Sequence, residues 1–150
     1  MKVTCLNYMD GGSYAGTEEG LYYLTGGEWK RVKGDLTNQK VQCLFNMGGT
    51  SYAGTSTGLY YNNNGNWIMV NGLGDKSVNA LAYMNGISYA GTSTGLFDLS
   101  PSGEWGPVHN TILSTANISS MMVSDGLPYA GTSDGLYYYN DGWHPVSVAK

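Results

Sequence analysis

Apolar, aromatic and β-branched residues occur along the chain in short runs that glycine-rich and polar segments separate. The first four runs are Val3–Met9, Ser13–Thr17, Leu21–Leu24 and Trp29–Val32. Runs of this length and composition, bounded by turns such as Asp10-Gly11-Gly12, are typical of β-strands joined into antiparallel hairpins. The runs do not alternate strictly between apolar and polar residues. A sheet with one solvent-exposed face would show strict alternation of apolar and polar residues. We therefore expect both faces of each sheet to be buried.

The motif Y-A-G-T-x-x-G-L-[YF] occurs four times, and each copy has the same flanks. The copies begin at Tyr14, Tyr52, Tyr89 and Tyr129. The first strand before each copy opens with Val3, Val41, Val78 or Ile118, and a W-x-x-V motif follows at Trp29, Trp67, Trp105 or Trp143. The glycine before the leucine, Gly20 in the first copy, is expected to take a positive φ in a three-residue type I hairpin loop. Four strands in about 40 residues match one blade of a β-propeller.

The repeat predicts an all-β fold, a single β-propeller domain over 1–150 made of four-stranded antiparallel blades. The blades are expected at approximately 1–36, 37–74, 75–113 and 114–150. Each blade begins with its own first strand, so two modes of ring closure are open: a four-bladed monomer, or two chains forming an eight-bladed homodimer. Short blades rich in glycine and alanine, with no extra helix to fill a steep wedge, favour the dimer. The monomer is the alternative.

The motif resembles the repeat of two-component-regulator-type and photosystem-assembly-type β-propellers, whose blades carry an aromatic-x-G-T-x-x-G-[LV]-[YF] core. The turns before the tryptophans, such as Tyr139-Asn140-Asp141-Gly142-Trp143, resemble the Asp-box of BNR and sialidase-type propellers. The resemblance covers all four copies and implies the blade fold. It implies no single function, because proteins of these families bind unrelated partners.

Composition and charge exclude several classes of partner. Charged residues make up 12% of the 150 residues and the net charge is −4, whereas an average chain is about 25% charged. An acidic chain lacks the basic patch of a nucleic-acid binder, so no nucleic acid is expected. No apolar run approaches a membrane span and no signal peptide follows Met1, so no membrane partner is expected. Cys5 and Cys43 cannot form a disulfide framework, which predicts free thiols and a cytoplasmic protein.

The residue pattern predicts no catalytic site, metal site or cofactor. His109 and His144 fall in variable parts of the repeat, and they and the two cysteines have no metal-ligand spacing. Glu18-Glu19 aligns with polar, mostly uncharged residues in the other copies, so we interpret it as a solvated turn rather than an acid–base pair. A sialidase would need an arginine cluster for the substrate carboxylate, and Arg31 is the only arginine. The chain is therefore expected not to be an enzyme.

Binding at one face of the propeller is the function that remains. The connectors between blades vary most, and short polar residues recur at the start of each first strand, where they would ring the mouth of the central channel. The candidate ligand-binding residues are Thr4, Asn38, Gln39, Lys40, Gln42, Lys76, Asn79, His109, Asn110 and Ser119. The expected ligand is a small polar molecule, either a sugar or a nucleotide-like metabolite. The alternative is a protein–protein interaction or structural scaffold module.

Overall fold

A computed structural model describes residues 1–36 and 38–147, which form four β-sheets. The first sheet contains β1 (Val3–Met9), β2 (Gly12–Thr17), β3 (Gly20–Thr25) and β4 (Glu28–Arg31). The second contains β5 (Lys33–Gly34), β6 (Val41–Met47), β7 (Thr50–Thr55), β8 (Gly58–Asn63) and β9 (Asn66–Met69). The third contains β10 (Val78–Met84), β11 (Ile87–Thr92), β12 (Gly95–Leu99) and β13 (Trp105–Pro107). The fourth contains β14 (Ile118–Ser124), β15 (Leu127–Thr132), β16 (Gly135–Tyr139) and β17 (Trp143–Pro145).

Each sheet holds an antiparallel meander in which four consecutive strands pair in chain order. The predicted all-β fold of four-stranded blades, four in the chain, is confirmed, and β1 covers the predicted run Val3–Met9. No helix among the described residues is long and apolar enough to cross a lipid bilayer.

The first strands of the four sheets, β1, β6, β10 and β14, lie side by side in that order. They are therefore the innermost strands, and consecutive blades face each other from there outwards. Leu21 of the first sheet shares an apolar cluster with Val41, Leu44 and Trp67 of the second. Two further clusters join the second sheet to the third and the third to the fourth. Burial on both faces explains why the strands do not alternate cleanly.

The hairpin turns follow the glycine and threonine positions of the repeat. Asp10 and Gly11 have φ values of 52° and 77°, as a type I′ turn between β1 and β2 requires. The positive φ predicted at Gly20 is confirmed at 126°. The predicted three-residue loop is wrong, because Thr17 pairs directly with Gly20 and leaves two residues in the turn. The Thr17 hydroxyl closes this turn by donating to the Gly20 carbonyl (2.8 Å) and accepting from the Glu19 amide (3.0 Å).

The connector after the first sheet joins that blade to the next one by pairing with a strand of the second sheet. Lys33 and Gly34 form β5, which pairs in parallel with β9, so these residues of the first predicted blade extend the second sheet. A Cβ on Gly34 would lie 2.7 Å from the Trp67 amide nitrogen, and its φ is +110°. Glycine thus allows the backbones to meet there.

Candidate functional site

A row of polar side chains at the start of the innermost strands reaches from each blade to the next. The residue after the strand-opening position donates a hydrogen bond to the carbonyl of the strand-opening residue in the following blade. These bonds run from Thr4 Oγ1 to Val41, from Gln42 Nε2 to Val78 (2.9 Å) and from Asn79 Nδ2 to Ile118 (2.9 Å). Three predicted ligand-binding residues therefore also hold adjacent blades together.

Two serines extend these contacts into a continuous network, which we call the polar row: Gln42, Ser77, Asn79 and Ser93. Gln42 Nε2 lies 3.1 Å from Ser77 Oγ and 3.0 Å from Asn79 Oδ1. Asn79 Nδ2 donates to Ser93 Oγ at 3.2 Å. Sequence reasoning missed both serines, although Ser93 stands immediately after the repeated Y-A-G-T of its copy.

Ser119 occupies the position of Gln42 and Asn79 in the fourth blade but bonds within its own sheet. Its hydroxyl donates to the Gly131 carbonyl at 3.2 Å. The chain has no described blade beyond β14, so Ser119 meets no strand-opening carbonyl there.

The predicted site residues on the connectors have other partners. Asn38 Oδ1 accepts from an Arg31 guanidinium nitrogen at 3.1 Å, and Gln39 bonds to Thr57. The Lys76 ammonium donates to Thr94 Oγ1 at 3.0 Å and lies 5.6 Å from the centroid of the Phe97 ring. These contacts hold the connector side chains against neighbouring turns and strands. None of these three residues joins the polar row, which consists of amides and hydroxyls.

The remaining three candidates, Lys40, His109 and Asn110, are exposed. Lys40 immediately precedes β6, whereas His109 and Asn110 follow β13. Asn110 has a φ of 57°, the left-handed conformation that asparagine tolerates better than most residues.

An apolar groove runs along the innermost strands β6, β10 and β14, and Asn79 and Ser119 are among its lining residues. Phe45, Ala82 and Met122 line it at the same position of successive first strands. Phe45 and Met122 keep 40% and 57% of their surface exposed. Sequence reasoning missed these side chains because apolar residues in strands were assigned to the core. The groove combines a polar end with apolar walls, an arrangement that small-molecule sites share.

The two cysteines are free, as predicted, and both are poor nucleophiles. Burial raises the pKa of Cys43 to about 12, and the neighbouring Cys5 thiol adds to the shift. Burial also raises the pKa of Cys5, against hydrogen bonds from Thr4 and Gly16 that lower it. Both thiols are therefore protonated at neutral pH, and the thiol is far less reactive than the thiolate.

Alkylation with iodoacetamide tests this assignment. At pH 8 both cysteines of the folded protein should react much more slowly than a free cysteine, and denaturation should restore the free rate. The rate at Cys43 should keep rising with pH up to about 12, because only the thiolate reacts. Mass spectrometry of tryptic peptides would follow each site. Rapid modification of Cys43 in the folded protein at pH 8 would contradict the raised pKa.

Within residues 1–36 and 38–147, no three His, Cys, Asp or Glu side chains cluster closely enough to hold a metal ion. The carboxylate of Glu18 instead lies 3.6 Å from the Lys2 ammonium in an exposed ion pair.

Comparison with known proteins identifies the fold but no family. No family model and no curated protein matches the chain. The extracellular domain of a putative hybrid two-component system from B. thetaiotaomicron superposes with a TM-score of 0.83 at 19% identity, over 99% of this chain and 22% of that one. A second such domain from the same organism gives 0.72 at 14% identity, over 97% and 23%. The computationally designed Ika4 protein gives 0.67 at 15% identity, over 91% and 89%. The chain thus spans less than a quarter of either natural neighbour.

These neighbours contradict the expected cytoplasmic location. Both natural neighbours are extracellular domains of two-component-system proteins, at odds with the predicted cytoplasmic location. The prediction rested on the absence of a disulfide framework. That absence is uninformative in this fold, because blades buried on both faces are held together by packing and need no cross-links.

Proposed function

We propose that this protein is a non-catalytic binding protein that takes a small polar ligand at the polar row. The observation that carries the proposal is the position of Asn79. Its side chain belongs to the hydrogen-bonded row and also lines the apolar groove of the innermost strands. A ligand bound there would meet amides and hydroxyls at one end and apolar walls along its body.

The chemistry of the row favours an uncharged, hydroxyl-bearing ligand. Gln42, Ser77, Asn79 and Ser93 carry no ionisable group, and amides and hydroxyls both donate and accept hydrogen bonds. Phe45 and Met122 offer exposed apolar surface in the same groove, against which the face of a sugar ring or a base could pack. A sugar or a nucleoside-like metabolite fits both features.

The non-catalytic part of the proposal rests on the state of the reactive groups. Both thiols are held protonated by burial. Glu18 and Glu19 lie in the exposed turn between β2 and β3, where each is solvated and neither faces the groove.

Calorimetric titration with a panel of monosaccharides, oligosaccharides and nucleosides tests the proposal. Phe45→Ala should weaken binding at least tenfold, because it removes an exposed groove wall and leaves the hydrogen bonds between blades intact. Ile87→Ala is the matched control, since Ile87 is exposed on β11 and does not line the groove. It should leave the affinity unchanged.

Asn79→Ala should also weaken binding. Because this variant loses the hydrogen bond to the Ile118 carbonyl, its melting temperature must be measured together with its affinity. No binding across the panel would contradict the proposal. Binding that neither Phe45→Ala nor Asn79→Ala alters would contradict it equally.

The second candidate function is a protein-interaction or structural scaffold module. The first and fourth sheets support it, because each leaves one broad face with exposed apolar side chains, including Leu6 and Leu136. A panel without binders, together with a stable complex in an extract of the source organism, would favour the scaffold over the ligand-binding protein.

A further inference from the structure

The three contacts between consecutive blades repeat one packing arrangement. In each, the β-branched residue that opens the later blade covers the motif glycine of the earlier blade. A Cβ on that glycine would lie 2.7 Å from Val41 at Gly16, 2.8 Å from Val78 at Gly54 and 2.5 Å from Ile118 at Gly91. Val41, Val78 and Ile118 are fully buried by this contact. Glycine is required there because the backbone of the earlier blade directly contacts a side chain of the later blade.

The aromatic residues of the repeat strengthen the same contact. Trp67 of the second blade lies 5.9 Å from Tyr14 of the first, centroid to centroid, with the rings at 73°. Trp105 and Tyr52 repeat this pair between the next two blades, at 5.8 Å and 82°. In these two contacts the later blade supplies the tryptophan and the earlier blade the tyrosine, whereas Trp143 of the fourth blade packs on Tyr139 of its own sheet.

The outer face of the first sheet carries the residues that a later blade contributes to this contact, and no described blade packs against them. We call it the β1 face: Val3, Leu6 and Trp29. Val3 is 50% exposed, although its three equivalents are fully buried, and Leu6 is 69% exposed, although Leu44 is buried. Trp29 is 46% exposed, whereas Trp67 is buried.

The outer face of the fourth sheet carries the residues that an earlier blade contributes to this contact. We call it the β14 face: Ser119, Tyr129, Gly131 and Leu136. Leu136 is 40% exposed, whereas its equivalents in the other three blades are fully buried. A Cβ on Gly131 would meet only the serines at 119 and 120 and no β-branched residue. Ser119 has no carbonyl of a following blade to bond.

We propose that the β1 face of one copy packs on the β14 face of a second copy, and the reverse, so that two chains close an eight-bladed ring. Val3 of one copy would cover Gly131 of the other, in the manner of Val41 on Gly16. Ser119 Oγ would donate to the Val3 carbonyl, as Gln42 does to the Val78 carbonyl. Trp29 would pack on Tyr129. The inference goes beyond the proposed function and does not rest on it.

A second copy fits these faces better than another partner for two reasons. The β1 face already carries the β-branched residue and the carbonyl that the other three blades use, and the tryptophan that the second and third blades use. A contact between two different faces forms a closed ring when its rotation returns to the start, and closure by two chains uses both faces and leaves neither exposed. Large apolar contacts of this kind are typical of obligate homodimers.

The four-bladed monomer requires the same two faces to meet within one chain. In the structure both faces stay exposed at Val3, Leu6 and Leu136, so they do not meet there. Both faces are therefore open to a second copy.

Light scattering coupled to size-exclusion chromatography of the 150-residue chain tests the ring. The expected mass is twice the chain mass of 16.1 kDa. A monomer at micromolar concentration would overturn the proposal. An open series of larger oligomers would overturn closure by two chains.

Two variants locate the contact, one on each face. Leu6→Asp places a charge on the β1 face at a residue that is exposed in the single chain, so the fold should tolerate it. Gly131→Val fills the space reserved for Val3 on the β14 face. In the single chain its Cβ would meet only the Ser120 hydroxyl within 3.0 Å, and that hydroxyl can rotate to another staggered position, whereas Gly54→Val would also meet backbone of the next blade. Each variant alone should raise the dimer dissociation constant at least 100-fold, with an unchanged far-ultraviolet circular dichroism spectrum.

Two matched controls carry the same chemical changes away from the faces. Ile112→Asp alters an exposed apolar residue on a connector, and Gly106→Val adds side chain where no atom lies within 4 Å. Both should remain dimeric. A dimer that survives Leu6→Asp and Gly131→Val, or one that only a single face variant disrupts, would overturn the pairing of these two faces. Dissociation of a control would do the same.

Discussion

Gly54→Val should destabilise the protein by about 1–3 kcal/mol, the usual penalty for overpacking a core. A Cβ at this position overlaps the Cys43 sulfur and lies 2.8 Å from Val78 Cγ1 and 3.0 Å from the Val78 carbonyl oxygen. The carbonyl is backbone of the adjacent blade, so relief requires the blades to separate. For a chain of this size we expect the melting temperature to fall by several degrees.

Thermal unfolding followed by circular dichroism measures the effect, with Gly106→Val as the control. Gly106 also lies in a strand, and nothing lies within 4 Å of the position of its Cβ, so that variant should melt near the wild type. Gly54→Ala should fall between the two, because it makes the same close contact with fewer atoms. Equal melting temperatures for Gly54→Val and Gly106→Val would show that the close approach of the blades is not needed for stability.

The close approach at Gly54 also explains why the fold could be predicted from the sequence. Glycine in the middle of a strand is unfavourable by itself, and the repeat places one in the second strand of all four copies. The β-branched residues that open each first strand then predict what occupies the space. Local composition and repeat spacing thus agree on strands, turns and blade contacts, and such agreement specifies a single fold.

The candidate site was harder to predict, because one sequence pattern serves two purposes. The polar residues that open the first strands were expected to face a ligand. In the structure Thr4, Gln42 and Asn79 donate to carbonyls of the next blade. A polar group at a crowded contact must be hydrogen-bonded whether or not a ligand is present, and the sequence does not show which partner satisfies it. Ligand binding by these residues stays a prediction.

The apolar walls of the groove could not be predicted from the sequence, because apolar residues within strands are normally buried. Phe45 and Met122 are apolar residues within predicted strands, so the pattern assigned them to the core. In the structure both side chains line the groove along the innermost strands and keep 40% and 57% of their surface exposed. The repeat shows which residues are in strands but does not show where such a groove opens.

Trp67→Ala should be the most destabilising substitution, with a loss of about 3–5 kcal/mol in the free energy of unfolding. The Trp67 side chain is almost completely buried and packs edge-on against Tyr14 of the preceding blade. Its removal leaves a cavity between two blades and takes away the aromatic contact. A loss of this size is a large part of the roughly 5–15 kcal/mol that stabilises an ordinary domain.

Trp29→Ala is the informative comparison, because Trp29 holds the same repeat position on the exposed β1 face. Urea unfolding of both variants should be measured at two protein concentrations. The loss from Trp67→Ala should be similar at both, since the contact lies within one chain. At the lower concentration, where chains separate, Trp29→Ala should cost little; at the higher one its loss should grow, because association stabilises the folded state by mass action. Equal losses for the two tryptophans at low concentration would contradict the burial difference, and a loss at Trp29 that does not change with concentration would leave the eight-bladed ring without energetic support.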